Sequence, residues 1–501
     1  MKVERKQSAK LARLAALLTL FLFVAPLVIY EYSPKSLQAQ YYLTTFEVLL
    51  PGSLLLILLD QFRNLHRRRT YAHTDSASAV QKLPTSATAT ATTAPILVTS
   101  QTRILRSENP PVQLSMHTRL IGFFVQILTD PLVASRAAII SLLVAAPLLL
   151  ALPPKGLAPF AANVAIPTLY PTARWDSYYY LRIAKDGYTA VSGWSTLAFR
   201  PLFPLILRIL YPSFRMQDPR AAATAAALVW NLVAVAIAGF YMEKLTKLFL
   251  GPKAARRALV LLAVYPSTFF LSVVYSEATT ILLVVASIYY LETRKPIVAG
   301  VLGFLAGLAR PETFLLSGAF FVKALVSPAK RWTRSKMILA SGLTALSLPV
   351  FLAFSYIVSG SFLTPARVEA GWQKCSMICF MNNPVKHFFS PTNTWPFTIN
   401  MIVMALSIIF IGGAFIRTGV TRRVSDRLFP YYLWSLALIG IIFYVGEIRS
   451  WARFQLGIPA VFWAQARYGV SHPRIFALLV VFYAALMILA TVLWANWYPM
   501  L

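Results

Sequence analysis

Residues 475–495 read IFALLVVFYAALMILATVLWA, a run of 21 residues that holds no charged side chain. A helix needs about 20 apolar residues to cross the hydrocarbon core of a bilayer, and further runs in the chain approach that length. Hydrophobic residues make up 58% of the 501 residues, and the mean hydropathy is +0.63. The core of a soluble protein does not produce such runs, so the sequence predicts an all-α integral membrane protein that crosses the bilayer many times.

The loops between the apolar runs give the chain an orientation. Every second loop is rich in Lys and Arg, and such loops lie on the cytoplasmic side of membrane proteins. The amino end is therefore predicted inside and the carboxyl end outside, with about thirteen transmembrane helices. The predicted spans cover residues 11–30, 41–59, 137–152, 222–241, 257–272, 276–293, 297–309, 313–327, 337–358, 398–416, 428–446, 454–466 and 475–495.

Composition divides the chain into three predicted parts. Residues 1–60 hold two additional N-terminal transmembrane helices. Residues 61–136 form a basic cytoplasmic linker, rich in Ser, Thr and Ala, with a short interfacial segment. Residues 137–501 form the main transmembrane domain, and its first span leads to a long outer loop at 154–221.

Net charge and cysteine content exclude several classes of protein. The formal net charge is +30, but the cations gather in short loops beside spans, where they meet anionic lipid, so no nucleic-acid partner is predicted. The two cysteines, Cys375 and Cys379, fall in a predicted outer loop and allow one disulfide bridge. The sequence contains no metal-ligand pattern and requires no cofactor, and it leaves dependence on a divalent metal open.

The polar stretch RWDSYYYLRIAKDGY, residues 174–188, lies in the outer loop and contains a predicted short helix at 174–185. Asp176 is one of only 17 acidic residues in the chain and stands between a cation and a group of aromatic side chains. Two structural roles are open to it, an ion pair with Arg174 or a cap on the following helix. The third possibility is a carboxylate near the membrane interface that acts on a substrate.

Other ionisable residues are predicted at the outer ends of spans, where charge is costly and is often functional. Glu277 begins a helix, where a carboxylate also favours the helix dipole. Arg310 stands beside Glu312, with which it can form a local pair. Arg449 and Arg453 precede another span, where they can be ordinary interfacial residues.

Several motifs, in order along the chain, resemble the PIG-V family of mannosyltransferases. Arg174-Trp175-Asp176 precedes IAKDGY and then AFRPLFPL, as in that family, although Arg200 replaces the usual aromatic residue. Tyr275-Ser276-Glu277 and the segment GFLAGLARP, residues 303–311, resemble two later motifs, with Glu312 where Asn is frequent. The resemblance covers roughly residues 137–495, and the first two spans and the linker lie outside it.

The resemblance implies a GT-C glycosyltransferase, a membrane enzyme that takes sugar from a polyprenyl-phosphate carrier. It implies a GT-C-like helical bundle for residues 137–501 and makes Asp176, in the first large outer loop, the catalytic carboxylate. Residue chemistry adds that Arg310 or Arg453 can hold the donor phosphate and that Trp175, Tyr178 and Tyr179 can stack on sugar or lipid. The further predicted substrate-binding residues are Arg174, Arg200, Glu277 and Arg449.

The expected reaction is an inverting transfer of mannose from polyprenyl (dolichyl) phosphate-mannose to a hydroxyl of a glycolipid, glycan or protein, with Asp176 as base. Three alternatives remain: a transferase of another lipid-phosphate-linked sugar, a transporter or flippase of lipid-linked sugar, and a non-catalytic membrane scaffold. The outer loops lack an N-x-Ser/Thr sequon and the chain ends without a retention signal, which favours a bacterial plasma membrane. In a eukaryote the endoplasmic reticulum membrane is expected, and in either case the active site is predicted on the outer or luminal side.

Overall fold

The computed structural model of the chain describes residues 131–149, 170–189, 196–214, 216, 218–326, 331–372, 395–420, 427–445 and 450–496. The chain divides into two units, residues 1–113 and 114–501, and the described residues belong to the second. Arg449, Cys375, Cys379, the first two predicted spans and the predicted linker up to residue 130 lie outside the described residues. The domain boundaries at 60 and 136 stay predictions.

The described residues are helical and contain no strand, which confirms the predicted all-α class. Sixteen α-helices occur among them. They are α1 Pro131–Leu149, α2 Ser177–Asp186, α3 Leu202–Leu210, α4 Pro219–Leu250, α5 Pro252–Val264, α6 Glu277–Glu292, α7 Pro296–Ala309, α8 Leu316–Val326, α9 Arg331–Ala345, α10 Ser347–Ser359, α11 Thr364–Trp372, α12 Trp395–Val420, α13 Phe429–Val445, α14 Trp451–Gln455, α15 Pro459–Ser471 and α16 Pro473–Ala495.

Four helical segments in the described part of the chain are long and apolar enough to cross a membrane. They are Pro219–Leu250, Thr333–Ser359, Ile399–Thr418 and Pro473–Ala495. The predicted number of about thirteen spans is therefore not confirmed. Several predicted spans are shorter helices, because turns interrupt them.

Two interruptions lie beside the candidate site. The predicted span 257–272 is helical only to Val264, and a 3-10 turn at Thr268–Ser272 follows. The predicted span 454–466 is divided between α14 and α15, which begins at Pro459. Pro266 and Pro459 have no N–H to donate to a helical ladder, so the chain leaves the helix at both places.

The start and end of α4 follow from local sequence. The side chain of Asp218 accepts a hydrogen bond from the backbone N–H of Arg220 (2.9 Å), and Pro219 occupies the first turn, where its missing donor is tolerated. Gly251 ends the helix at φ +83°, a conformation that glycine adopts without steric cost. Helix α5 then begins at Pro252, so the two helices form a tight hairpin.

Small residues allow α7 to approach α9 and α10 closely. An added Cβ on Gly300 would lie 2.9 Å from the Cα of Ala340. A Cβ on Gly303 or Gly307 would overlap the side chains of Thr344 and Ser347. Because α7 ends at Ala309, this packing fixes the position of Arg310, the next residue in the chain.

A buried arginine holds the first described helix in place. Arg136 is 2% exposed and donates to the carbonyl of Thr268 (2.6 Å) and to the Thr268 hydroxyl (3.0 Å). Helix α1 begins at Pro131, earlier than the predicted start of the span at 137, so Arg136 is a helical residue. Its contacts join α1 to the 3-10 turn that precedes the candidate site.

Candidate active site

Five ionisable side chains form a continuous chain of alternating charge. The Arg453 guanidinium donates from Nη1 to Asp176 Oδ2 (2.8 Å), and its Nε lies 3.2 Å from Glu277 Oε1. Arg310 donates to the same oxygen of Glu277 and, from Nε, to Glu312 Oε1. The order Asp176–Arg453–Glu277–Arg310–Glu312 joins residues that are far apart in sequence.

Burial changes along this chain. The Glu277 side chain is 2% exposed and the Arg310 side chain 6%, whereas Arg453 is 12% and Asp176 22% exposed. Asp176 is therefore the most accessible member, and Glu277 is the most enclosed. The five side chains comprise three carboxylates and two guanidinium groups, so the group has a net charge of −1 when all five are ionised.

A strained turn places Asp176 at the start of α2. Trp175 has φ +53°, a left-handed conformation that is rare for a bulky residue and costs about 1 to 3 kcal/mol. The backbone N–H of Asp176 donates to the Tyr275 hydroxyl oxygen (3.1 Å), and the Tyr275 O–H donates to the carbonyl of Arg174 (3.5 Å). One buried tyrosine thus holds both peptide groups that flank Trp175.

The segment before α6 carries Tyr275 and leads directly to Glu277, and backbone contacts hold it. The N–H of Val274 donates to the carbonyl of Thr172 (3.0 Å), which ties this segment to the residues just before Trp175. The Asn231 amide, on α4, donates to the carbonyls of Val273 (2.6 Å) and Tyr275 (3.2 Å). Glu277 is then the first residue of α6, so its carboxylate also lies at the favourable end of the helix dipole.

The short helix α14 presents Arg453. Its neighbour Ala452 donates its N–H to Asn400 Oδ1 (2.7 Å) and accepts a hydrogen bond from the Ser267 hydroxyl (2.6 Å). The guanidinium carbon of Arg453 lies 5.4 Å from the Tyr275 ring centroid and 5.7 Å from that of Phe270. Burial acts to lower the pKa of Arg453, but Asp176 and Glu277 act in the opposite direction and raise it overall, so Arg453 stays charged.

Three tyrosines of α2 follow Asp176 in the chain. Tyr180 is buried, shares a hydrogen bond with Ser276 (3.2 Å), and has a pKa raised by burial and then by Glu277. Burial, followed by the charge of Asp176, raises the pKa of Tyr179 to about 12, so its hydroxyl is neutral at physiological pH. Tyr178 packs edge-on against Tyr179, with the ring centroids 5.5 Å apart.

The structural alternatives for the predicted residues are partly resolved by these contacts. Asp176 pairs with Arg453 and not with Arg174, and its side chain makes no capping hydrogen bond to α2. Arg310 does pair with Glu312, as its local alternative predicted, and it also pairs with Glu277. Arg453 is therefore a member of the charged chain and not a free interfacial cation.

Two further predicted substrate-binding residues, Arg174 and Arg200, are buried. Arg200 is buried, and its guanidinium carbon lies 3.8 Å from the ring centroid of Phe351, on α10. The Arg174 side chain is 2% exposed, and its carbonyl joins the turn around Trp175. Within the described ranges, no group of three or more His, Cys, Asp or Glu side chains is arranged to hold a metal ion.

Sequence reasoning missed the roles of Tyr275, Tyr180 and Asn231. Tyr275 precedes Glu277 in the Tyr-Ser-Glu motif, so its presence was a signal, but its contact with the backbone of Asp176 depends on tertiary packing. Asn231 carried no signal beyond being a polar residue inside an apolar run. Such buried amides usually satisfy backbone groups, as this one does.

Comparison with known families places these residues in context. Residues 111–326 match the family of mannosyltransferases called PIG-V. The matched segment includes Asp176, Tyr275, Glu277, Arg310 and Glu312. It confirms the resemblance of the PIG-V motifs and supports a membrane glycosyltransferase activity. Arg453 lies beyond the matched PIG-V segment, but its two ion pairs are both with residues inside it.

Solved structures similar to the chain include oligosaccharyltransferases of Archaeoglobus fulgidus. A complex with Zn and sulfate has 17% identity and a TM-score of 0.41, and the alignment covers 73% of this chain and 53% of that one. The archaeal enzyme AglB in complex with an inhibitory peptide and a dolichol-phosphate has 15% identity and a TM-score of 0.40, with 72% and 55% covered. This chain thus spans about half the length of these structures. No curated protein sequence matches the chain.

Proposed function

We propose that the chain is a mannosyltransferase that moves mannose from polyprenyl (dolichyl) phosphate-mannose to a hydroxyl group of a glycolipid, glycan or protein acceptor. The match to the PIG-V family supports the sugar, and the apolar helices support a donor that is itself held in the membrane. The reaction is proposed at the outer face of a bacterial plasma membrane, or at the luminal face of the endoplasmic reticulum membrane in a eukaryote.

This proposal rests on the hydrogen bonding and the exposure of the Asp176 carboxylate. Oδ2 accepts a hydrogen bond from Arg453, while Oδ1 accepts none from the described residues. The side chain is 22% exposed, whereas Glu277 and Glu312 are 2% and 10% exposed and both bind Arg310. Among these three carboxylates, Asp176 is thus the one that an acceptor hydroxyl can best reach.

The proposed step is a single displacement with Asp176 as base. The acceptor O–H gives its proton to the Asp176 carboxylate while the acceptor oxygen forms a bond to the anomeric carbon of mannose. The bond between that carbon and the phosphate oxygen breaks, and its electron pair leaves with the polyprenyl phosphate. The attack and the departure occur on opposite faces of the sugar, so the configuration inverts. Proton removal by a positioned carboxylate contributes about 10² to 10⁴ in rate.

The leaving phosphate gains negative charge as the bond breaks, and a fixed guanidinium stabilises that charge. Arg453 is proposed for this role because it is partly accessible and adjacent to Asp176. Arg310 remains a predicted phosphate ligand, although two carboxylates already bind its guanidinium. Trp175, Tyr178 and Tyr179 are proposed to contact the sugar or the lipid, since they flank Asp176 on the turn and on α2. Arg174, Arg200, Glu277 and Arg449 stay predicted substrate-binding residues.

Membranes that contain the full chain test the proposal with a radiolabelled polyprenyl-phosphate-mannose donor and thin-layer separation of the products. A mannosylated acceptor formed by the wild type and absent with Asp176→Asn supports the transferase. Transfer from the glucose-linked donor but not the mannose-linked one would change the sugar. Movement of intact donor across the bilayer without a new glycoside would instead indicate a flippase. Neither transfer nor movement would point to the scaffold.

A further inference from the structure

We infer that Arg453 masks Asp176 until the donor phosphate binds, and that the phosphate then takes the place of Asp176 on the Arg453 guanidinium. This inference rests on the proposed function and concerns the order of events at the same site. Its basis is the arrangement of the ion pairs and of the space around Arg453.

The two ion pairs of Arg453 differ in accessibility. Nε lies 3.2 Å from Glu277, which is 2% exposed, and Nη1 lies 2.8 Å from Asp176, which is 22% exposed. Arg310 holds the Glu277 oxygen that faces Arg453, so this partner is fixed. A ligand that approaches from the accessible side therefore meets the pair between Arg453 and Asp176, and an anion there competes with Asp176 for Nη1.

Repulsion between anions favours an exchange over simple addition. The ionised chain already has a net charge of −1, because Asp176, Glu277 and Glu312 exceed Arg310 and Arg453 by one. A phosphate brings a further negative charge close to Asp176 in either case, but the repulsion between the two anions is smaller when Asp176 moves off the guanidinium. Like charges at such distances repel strongly where water is scarce. Exchange of Asp176 for phosphate keeps one anion on each side of the guanidinium.

Aromatic rings and a small pocket lie beside the Arg453 guanidinium. A small pocket beside the residue is lined by Pro266, Phe269, Phe270 and Ile399, with Arg453 on its wall. The Phe270 and Tyr275 rings lie 5.7 and 5.4 Å from the guanidinium carbon, and aromatic faces attract a cation without fixing its hydrogen bonds. Rotation about the Cδ–Nε bond moves Nη1 and leaves Nε in place beside Glu277.

The exchange has a chemical consequence for the proposed base. In the paired state Oδ2 of Asp176 already accepts a hydrogen bond from Arg453 Nη1, so this oxygen is less available to an acceptor hydroxyl. When Arg453 turns to the phosphate, Asp176 loses this partner at the moment when the acceptor hydroxyl must be deprotonated. Arg453 thus couples donor binding to activation of the base, and without donor the carboxylate stays paired.

Binding of polyprenyl phosphate, the sugar-free product, tests the exchange without any transfer reaction. Its affinity is measured by microscale thermophoresis on the purified full chain in detergent. Asp176→Asn keeps a hydrogen-bond acceptor but loses the negative charge that holds Arg453, and the second variant Asp176→Ser removes the carboxylate altogether. Each should therefore bind polyprenyl phosphate about tenfold more tightly than the wild type, a typical coupling between two linked sites. Asp186→Asn removes an equal charge from an exposed position at the end of α2 and should leave the affinity unchanged.

The arginine background decides whether Arg453 transmits the effect. Arg453→Gln should weaken binding, and adding Asp176→Asn to it should then change nothing. If neither Asp176 variant binds more tightly, or if tightening persists in the Arg453→Gln background, the exchange is wrong. Binding by the wild type without the expected tightening would overturn the exchange and leave the proposed donor intact. A wild type that binds no polyprenyl phosphate would overturn both.

Discussion

The guanidinium of Arg453 lies 2.8 Å from the carboxylate of Asp176, although 277 positions separate the two residues in the sequence. Asp176 comes from the turn before α2, in the predicted outer loop, and Arg453 comes from the short helix α14. Glu277 and Arg310 reach the same place from the start of α6 and the end of α7. The candidate site is therefore assembled from the ends of four separate elements, and its geometry depends on how those elements pack.

Arg453→Lys should raise the donor KM by about tenfold, because lysine keeps the charge but loses the planar group that contacts Glu277 and a second anion together. The turnover at saturating donor should fall less than the donor affinity. Steady-state kinetics with varied polyprenyl-phosphate-mannose measure both quantities. Arg208→Lys, at an exposed position of α3, is the matched control and should leave the donor KM unchanged. An unaltered KM in Arg453→Lys would remove Arg453 from the phosphate site.

Glu277→Gln should destabilise the protein strongly. Glu277 bridges Arg310 and Arg453 and is 2% exposed, and removal of one partner from a buried pair costs about 3 to 5 kcal/mol. Glu243→Gln is the control, since Glu243 pairs with Lys247 on the surface of α4, where the lysine side chain is 46% exposed. Exposed pairs contribute about 0 to 1 kcal/mol. Thermal unfolding in detergent should separate the two variants, and equal melting temperatures would contradict a buried bridge.

The glycines of α7 provide a test of helix packing. Gly303→Ala places a methyl group against Thr344, and such overpacking costs about 1 to 3 kcal/mol. Gly342→Ala lies on the facing helix α9, where an added Cβ meets nothing within 4 Å, so it should be neutral or slightly stabilising. Because α7 positions Arg310, Gly303→Ala should also lower transferase activity in the folded fraction. A Gly303→Ala variant as stable as Gly342→Ala would show that the helices are less closely packed.

Local sequence predicted those parts of the site that local chemistry determines. The short helix predicted at 174–185 is observed as Ser177–Asp186. The pairing of Arg310 with Glu312 was likewise within reach, since the residues are two positions apart. The partner of Asp176 was not, because nothing in the outer loop specifies a contact with residue 453. Tertiary packing also decides that Trp175 adopts a left-handed conformation and that Tyr275 supports it.

The number of spans was harder to predict for a related reason. Hydropathy treats residues 257–272 as one apolar run, but Pro266 and the following turn divide it. The turn carries Thr268, which Arg136 binds. The mean hydropathy of residues 257–272 does not show where the helix ends or that Arg136 binds the turn that follows it.

The side of the membrane on which the site lies can be tested with single cysteines in a background without Cys375 and Cys379. Lys185 is exposed on α2, near Asp176, and Lys253 is exposed at the start of α5. Lys185→Cys should react with an impermeant thiol reagent added to intact cells or sealed vesicles of right-side-out orientation. Lys253→Cys should react only after permeabilisation, because it lies in a predicted inner loop. The reverse pattern would place Asp176 on the cytoplasmic side.

Asp176→Asn tests the proposed base most directly. Asparagine keeps the size of the side chain and can accept a hydrogen bond from Arg453 through its carbonyl, but it does not take up the acceptor proton. The turnover should fall by about 10² to 10⁴, the usual contribution of acid–base catalysis, while the donor KM should not rise. Single-turnover transfer of radiolabelled mannose by purified enzyme measures the loss, and thermal unfolding establishes that the variant is folded.

Asp186→Asn is the matched control, because Asp186 is exposed and makes no ion pair in the described structure, so its turnover should stay close to that of the wild type. A structural role for Asp176 predicts a different pair of results, a lowered melting temperature with normal turnover in the folded fraction. Near wild-type turnover in folded Asp176→Asn enzyme would exclude Asp176 as the base and leave Glu277 and Glu312 as the carboxylates to test next.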